Sequence, residues 1–255
     1  MTTEPRLQHA LNEIASTYGA TCTIKPKSLL KFGKATVSNS VYETVQNQGS
    51  NETYQTGNTI NSVISSDNGD DQTITVEGHT ISGTELTFVT QTIALTGQTA
   101  ATLTTPLARA TRAYNSDSTE FSGTVYVCRS DTYTDGVPDT AAKIHLQAPA
   151  SDQQSLKAST SISKDDYWVI TQFFGSVDKK TAATVTFRVQ VKGAGGVFRT
   201  QLTGSTGAGS PPAFVTVNPP FIVPANADVR IQALSSSTNT DVSAWMNGHL
   251  ALASS

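Results

Sequence analysis

From residue 72 onward the chain alternates apolar and polar side chains with a period of two, the signature of strands that bury one face. QTITVEGHTI places Ile74 and Val76 on one side, ELTFVTQTIAL pairs Leu86 with Phe88, and GTVYVCRS sets Val125 and Val127 against Tyr126 and Cys128. In DDYWVITQFFG, Trp168 and Ile170 oppose Tyr167 and Val169. The clearest run is TVTFRVQVKG, with Val185, Phe187, Val189 and Val191 on the buried side and Thr186, Arg188, Gln190 and Lys192 on the wet side. Gly193-Ala194-Gly195-Gly196 then turns the chain into VFRTQL, which predicts a hairpin. The stretch at 204–212 reads as a loop, VNPPFIVPANADVRIQAL as a last hairpin and VSAWMNGHLALA as a long closing strand. One buried and one wet face per strand demand an antiparallel sandwich or barrel. With no internal repeat and many short strands, the expected fold is all-β, a jelly-roll-like β-sandwich.

The first 71 residues read differently. Leu7, Ala10, Leu11 and Ile14 form one apolar stripe at helical spacing over residues 4–16, with Thr3 as cap and Gly19 as exit. A helix of that length is not stable alone in water and must dock, on its own sandwich or on a neighbour. Residues 20–71 are poor in apolar positions and split in charge. Lys25, Lys27, Lys31 and Lys34 come first, and Glu43, Glu52, Asp67, Asp70 and Asp71 follow. Such a segment cannot easily offset its ordering entropy with a core of its own. The expected division is therefore 1–71 as an N-terminal helix and extended arm and 72–255 as the β-sandwich body. The stripe (Leu7, Leu11, Ile14) and the four lysines are the candidate docking device.

Composition supports this picture. Charged residues make up only 15% of the chain, and the net charge of −3 gives no electrostatic footprint for nucleic acid. No apolar run approaches the length of a membrane span, and Glu4, His9 and Glu13 deny the N-terminus the apolar core of a secretory signal. Cys22 and Cys128 are far apart in sequence, so both free thiols and a disulfide stay open.

No nucleophile, metal or phosphate-loop motif occurs with its required context, so the expectation is a non-enzymatic protein without cofactor or metal. His145 lies between Ile144 and Leu146 and is expected on a wet face, as is His79. Asp67-Asn68-Gly69-Asp70-Asp71 and the series Asp131, Asp135, Asp139 are rich in oxygen ligands. Neither has the spacing of an EF-hand, and turns carry this composition routinely. Asp165 and Asp166 are adjacent, so on a strand they point to opposite faces and cannot act as a pair. Trp168, Trp245, Phe173, Phe174 and Tyr114 are expected in the core. Arg109 and Arg112, three apart and hence on opposite faces of a strand, are interface candidates because a guanidinium fork pairs with carboxylates and peptide oxygens.

TIALTGQTAATLTTPLARATRAYN, VYVCRSDTYTDGVPDTAAKIHLQ, SLKASTSISKDDYWVITQFFGSV, GGVFRTQL and PPFIVPANADVRIQALSS resemble structural sequences of tailed-bacteriophage virions. The resemblance spans roughly residues 72–255. It implies a virion component of the capsid decoration (cement) type, which binds an assembled shell and stabilises it, often as a homotrimer. The implied partner is the major capsid protein or another virion protein. Tail, head-fibre and adhesin modules that bind a host receptor or carbohydrate form the alternative class.

Overall fold

The computed structural model describes residues 21–48, 52–178 and 183–254, together with Asn12 and Ser16, both helical; in 21–27 and 253–254 the backbone alone is described. The expected stripe of Leu7, Leu11 and Ile14 lies outside the described residues. The strands in chain order are β1 (Thr21–Val37), β2 (Glu43–Thr44), β3 (Ile60–Ser65), β4 (Thr73–Ser82), β5 (Glu85–Ala94) and β6 (Ala101–Leu107). They continue with β7 (Arg109–Asn115), β8 (Val125–Arg129), β9 (Tyr133–Thr134), β10 (Val137–Pro138), β11 (Ile144–Ala148) and β12 (Ser159–Ser161). The last six are β13 (Asp166–Val177), β14 (Thr184–Lys192), β15 (Arg199–Gly207), β16 (Ala213–Val223), β17 (Asp228–Ser235) and β18 (Thr240–Ser254).

The chain divides into two compact units, one of Met1–Val45 with Ala158–Ser255 and one of Gln46–Lys157. The first is a jelly roll. One sheet runs β1-β18-β13-β16, and the other runs β12-β17-β14-β15, with β2 also paired to β17. Every pairing is antiparallel. First and last strands are thus neighbours, and the chain passes back and forth between the sheets except at the β14–β15 hairpin. That order is the double Greek key. β2 and β12 lie on the same edge of β17, at Gln232–Ala233 and Asp228–Arg230, and together make one interrupted strand. The second unit is inserted in that interruption.

The jelly-roll core is built from the alternation read in the sequence. Val185, Phe187 and Val189 are fully buried with Trp168, Ile170 and Phe173, and Phe173 meets Phe187 edge to face at 6.3 Å. Each such aromatic contributes about 1.5–3 kcal/mol by leaving water. Pro219 and Pro220 fall in β16, the sheet edge, where a missing N–H costs no ladder bond. β16 and β17 belong to different sheets, so they do not form the hairpin expected there.

The inserted unit is a smaller sandwich. Sheets β11-β8-β3-β6 and β5-β4-β7 enclose Ile60, Val63, Ile74, Val76, Leu103, Leu107 and Val127. The four-stranded sheet also carries a second cluster of Ile64, Tyr126 and Cys128, against which Tyr133 and Ile144 pack. Cys128 is a free thiol, pushed up to about 11 by burial. The two ends of the insertion meet in a bridge between Gln46 and Lys157.

The boundary expected after residue 71 is therefore corrected. Residues 21–37 form β1, paired with β18 along most of its length, and residues 60–65 form β3, an inner strand of its sheet. Neither alternates, for different reasons. β3 is covered on both faces, so Ile60, Val63 and Ile64 are all buried. β1 mixes polarity on both faces: Leu29, Lys31, Ala35 and Val37 share the parity that faces the core, and Leu30, Phe32 and Lys34 share the other. Gly33 is required there, because a Cβ would stand 2.1 Å from the Val45 carbonyl oxygen and 2.5 Å from the Ala158 nitrogen.

Candidate functional site

Of the residues expected to dock, four lie on β1 and two on β7. Lys25 and Lys27 lie on the backbone of β1. Lys31 is buried on the core-facing parity, and Lys34 is exposed on the opposite face. Arg109 and Arg112 belong to the inserted unit. A bulge at Thr111 sets Arg109 opposite His79 and Arg112 opposite Glu77, so the two arginines share one face instead of opposing each other. Arg109 is buried. It donates to the carbonyls of Gln55 and, at 2.9 Å, of Ala108, and lies 5.1 Å from the Tyr54 ring centroid. Arg112 is exposed, stacks on Tyr114 at 4.5 Å and donates to Gln154 Oε1 at 3.3 Å.

His145 also departs from expectation. It is the extra residue of a bulge between Ile144 and Leu146, and the bulge turns it into the unit. Burial pushes its imidazole down to about 3, with Lys157, Arg129 and Arg109 as further cationic causes. Beside it, Lys157 donates to Glu52 Oε1 at 2.6 Å, to the Ala110 carbonyl at 2.8 Å and to the His145 carbonyl at 3.4 Å. This buried polar network binds strands to one another. The acidic loops act as turn caps. Asp131 accepts from Lys143 Nζ and Thr140 N, each at 2.7 Å, which holds its carboxyl down to about 2. Asp67 accepts from Gly69 N at 2.7 Å.

The surface that stands out lies on the jelly-roll unit. Trp168 and Phe173 are core residues as expected, but Phe174 and Trp245 are not. They point away from the core, at the same register of the four-stranded sheet. Phe32 sits opposite Trp245, Trp245 opposite Phe174, and Phe174 opposite Phe214. One aromatic from each strand thus makes a row across the whole sheet. Phe174 and Trp245 stack at 5.5 Å with planes 10° apart, and Phe214 meets Trp245 edge to face at 6.1 Å. Phe214 is 54% exposed and Leu30, two residues from Phe32 on the same face, is 56% exposed, so the row opens to solvent. Amides line one side, where Asn247 Nδ2 donates to Gln172 Oε1 at 3.3 Å. Hydroxyls line the other, where Ser243 donates to Asp178 Oδ2 at 2.7 Å. An apolar centre with a polar rim is the anatomy of a protein-binding surface.

One signal in the sequence pointed to the row. Phe173 and Phe174 are adjacent on a strand, so they face opposite sides and one of them must leave the core. The alignment of four strands could not be read, because register belongs to pairing and not to any one segment.

Fold and surface define a jelly-roll β protein carrying an inserted β-sandwich and an aromatic sheet face. No family model matches the chain, and no curated protein matches it. Among solved structures it is similar to that of infectious bursal disease virus Gt strain, at 11% identity over 98% of this chain and 78% of that one, with a TM-score of 0.22. It is likewise similar to the infectious bursal disease virus VP2 subviral particle, at 10% identity, the same coverage and a TM-score of 0.22. The likeness is weak.

Proposed function

We propose that this chain is a structural protein of a virion, of the decoration (cement) kind that the sequence resemblance implies, and that the aromatic sheet face of its jelly-roll unit docks on the assembled shell. The partner in this reading is the major capsid protein or another virion protein, and the role is non-catalytic. The observation that carries it is the row Phe32, Trp245, Phe174, Phe214. Four large rings held at one register by a rigid sheet present a preorganised apolar surface at little entropic cost. The offset stacking of Phe174 on Trp245 turns their faces toward each other and their edges outward. A saccharide platform needs open ring faces, so the geometry favours a protein partner over the carbohydrate of a fibre or adhesin module.

The test is co-sedimentation with shells of the virus that encodes the chain, prepared without it. Phe214→Ser and Leu30→Ser change side chains already in solvent and leave the core intact. Each should weaken binding by about tenfold, the worth of one buried apolar anchor. Undiminished binding of the double variant overturns the reading.

A further inference from the structure

The outer face of the sheet β1-β18-β13-β16 differs between its two ends. Along β18, Trp245, Asn247, His249 and Ala251 share the outward parity, and their partners on β13 are Phe174, Gln172, Val169 and Tyr167. At the end of the aromatic row the face is open, with Phe214 54% and Leu30 56% exposed. At the other end it is closed. Val169 and Ala251 are 0% exposed and Tyr167 only 7%, although all three point away from the core that holds Trp168 and Ile170. A valine or alanine on an uncovered sheet face keeps contact with water. Complete burial there requires a further layer over the sheet.

The chain enters the sheet at that same end. Thr21 pairs with Ser254 and Ile24 with Ala251, so β1 begins about 10 Å from the rung that Tyr167 and Ala251 share. The segment before β1 carries the stripe Leu7, Leu11, Ile14, which is too short a helix to stand in water without an apolar surface beneath it.

We infer that residues 4–16 are a helix laid on the outer face of their own sheet, the stripe Leu7, Leu11 and Ile14 covering Tyr167, Val169 and Ala251. The dimensions agree. Leu7 and Ile14 stand about 10 Å apart along a helix, and Tyr167 and Val169 about 7 Å apart along a strand. Residues 17–20 span up to about 14 Å, enough to turn the helix back over the covered rung. Asn12 and Ser16 are helical and exposed. At about 100° per residue they lie about 140° and 180° round the helix from Leu7, whereas Leu11 and Ile14 lie within about 40° of it. The exposed side of the helix is therefore the one opposite the stripe. In this arrangement the stripe is a strap within the jelly-roll unit and does not face a partner, and the aromatic row is the part of the sheet left open. The inference does not rest on shell binding, and the two can fail separately.

The test is a methyl nuclear Overhauser spectrum of the full chain with alanine, isoleucine, leucine and valine methyls labelled. Packed side chains come within about 4.5 Å, so the methyls of Leu7, Leu11 and Ile14 should give cross-peaks to those of Val169 and Ala251. Absence of every such cross-peak would overturn the inference. So would cross-peaks that appear only between separately labelled chains in a mixture, which would place the stripe on a neighbouring copy. A second measurement reads accessibility. The thiol of Val169→Cys should react with a maleimide at least about tenfold more slowly than that of Phe214→Cys, as a site reached only through local opening does. Adding Leu11→Asp should abolish most of that difference while the circular-dichroism spectrum stays that of a folded β protein. A difference that survives Leu11→Asp in full would show that something other than the stripe covers the patch.

Discussion

Replacing Lys157 with methionine should destabilise the inserted unit by about 3–5 kcal/mol, the range for breaking a buried ion pair from one side. The stem of the side chain is kept and the ammonium removed. That ammonium serves Glu52 Oε1 at 2.6 Å and the carbonyls of Ala110 and His145 at 2.8 and 3.4 Å. The Lys157 and Glu52 side chains are 2% and 5% exposed, so water does not replace the lost partner. Two carbonyls that lose a donor account for part of the cost, at about 1–3 kcal/mol for each group left unsatisfied, and the contributions overlap. Adding Glu52→Gln should recover part of the loss, because a neutral amide is cheaper to bury than a carboxylate. The variant also removes one of the cations that depress His145, so its imidazole should titrate above the present value of about 3. Both tryptophans, Trp168 and Trp245, belong to the jelly-roll unit. Their fluorescence therefore reports that unit, while amide hydrogen exchange in peptides from 46–157 reports the inserted one. A loss under about 1 kcal/mol, the scale of an exposed pair, would show that the ammonium is not a buried ion-pair partner, as would a double variant no better than Lys157→Met alone.

Phe187→Ala should cost about 3–5 kcal/mol, since the ring is fully buried against Phe173, while Arg188→Ala on the outer face should cost about 1 kcal/mol or less; equal effects in urea melts would contradict the strand's placement. His145 is held near 3, below the usual value of about 6.5, so the unfolded chain takes up its proton first as pH falls. Its contribution to stability is full above about pH 6.5 and shrinks by up to about 1.4 kcal/mol per pH unit on the way down to about 3. Between about pH 6.5 and 5, where carboxylates stay mostly ionised, wild type should lose about 2 kcal/mol and His145→Gln much less. Parallel slopes for the two proteins would exclude the buried histidine as the cause.

Strands that bury one face and carry no extra residue were legible in the sequence, as Val185, Phe187 and Val189 of β14 show, and so was the turn into β15, although β15 itself bulges at Gln201. Parity failed at bulges. One extra residue at Thr111 moved Arg112 to the side of Arg109, and another turned His145 inward. Composition failed for β1 and β3, whose polar residues suggested an arm although both strands are built into sheets. The interruption between β2 and β12 leaves no local mark at all, because the break in the jelly roll is visible only when Glu43–Thr44 and Ser159–Ser161 are seen beside the same strand, β17. The same limit hid the aromatic row, assembled across strands distant in sequence.

An electron-microscopy map of the particle at side-chain resolution decides whether the aromatic sheet face seats a virion protein. Density for the jelly-roll unit is expected on the outside of the shell, with Phe32, Trp245, Phe174 and Phe214 against capsid protein. Density for the chain at a fibre or tail tip, or on the shell with that row facing solvent, would contradict it.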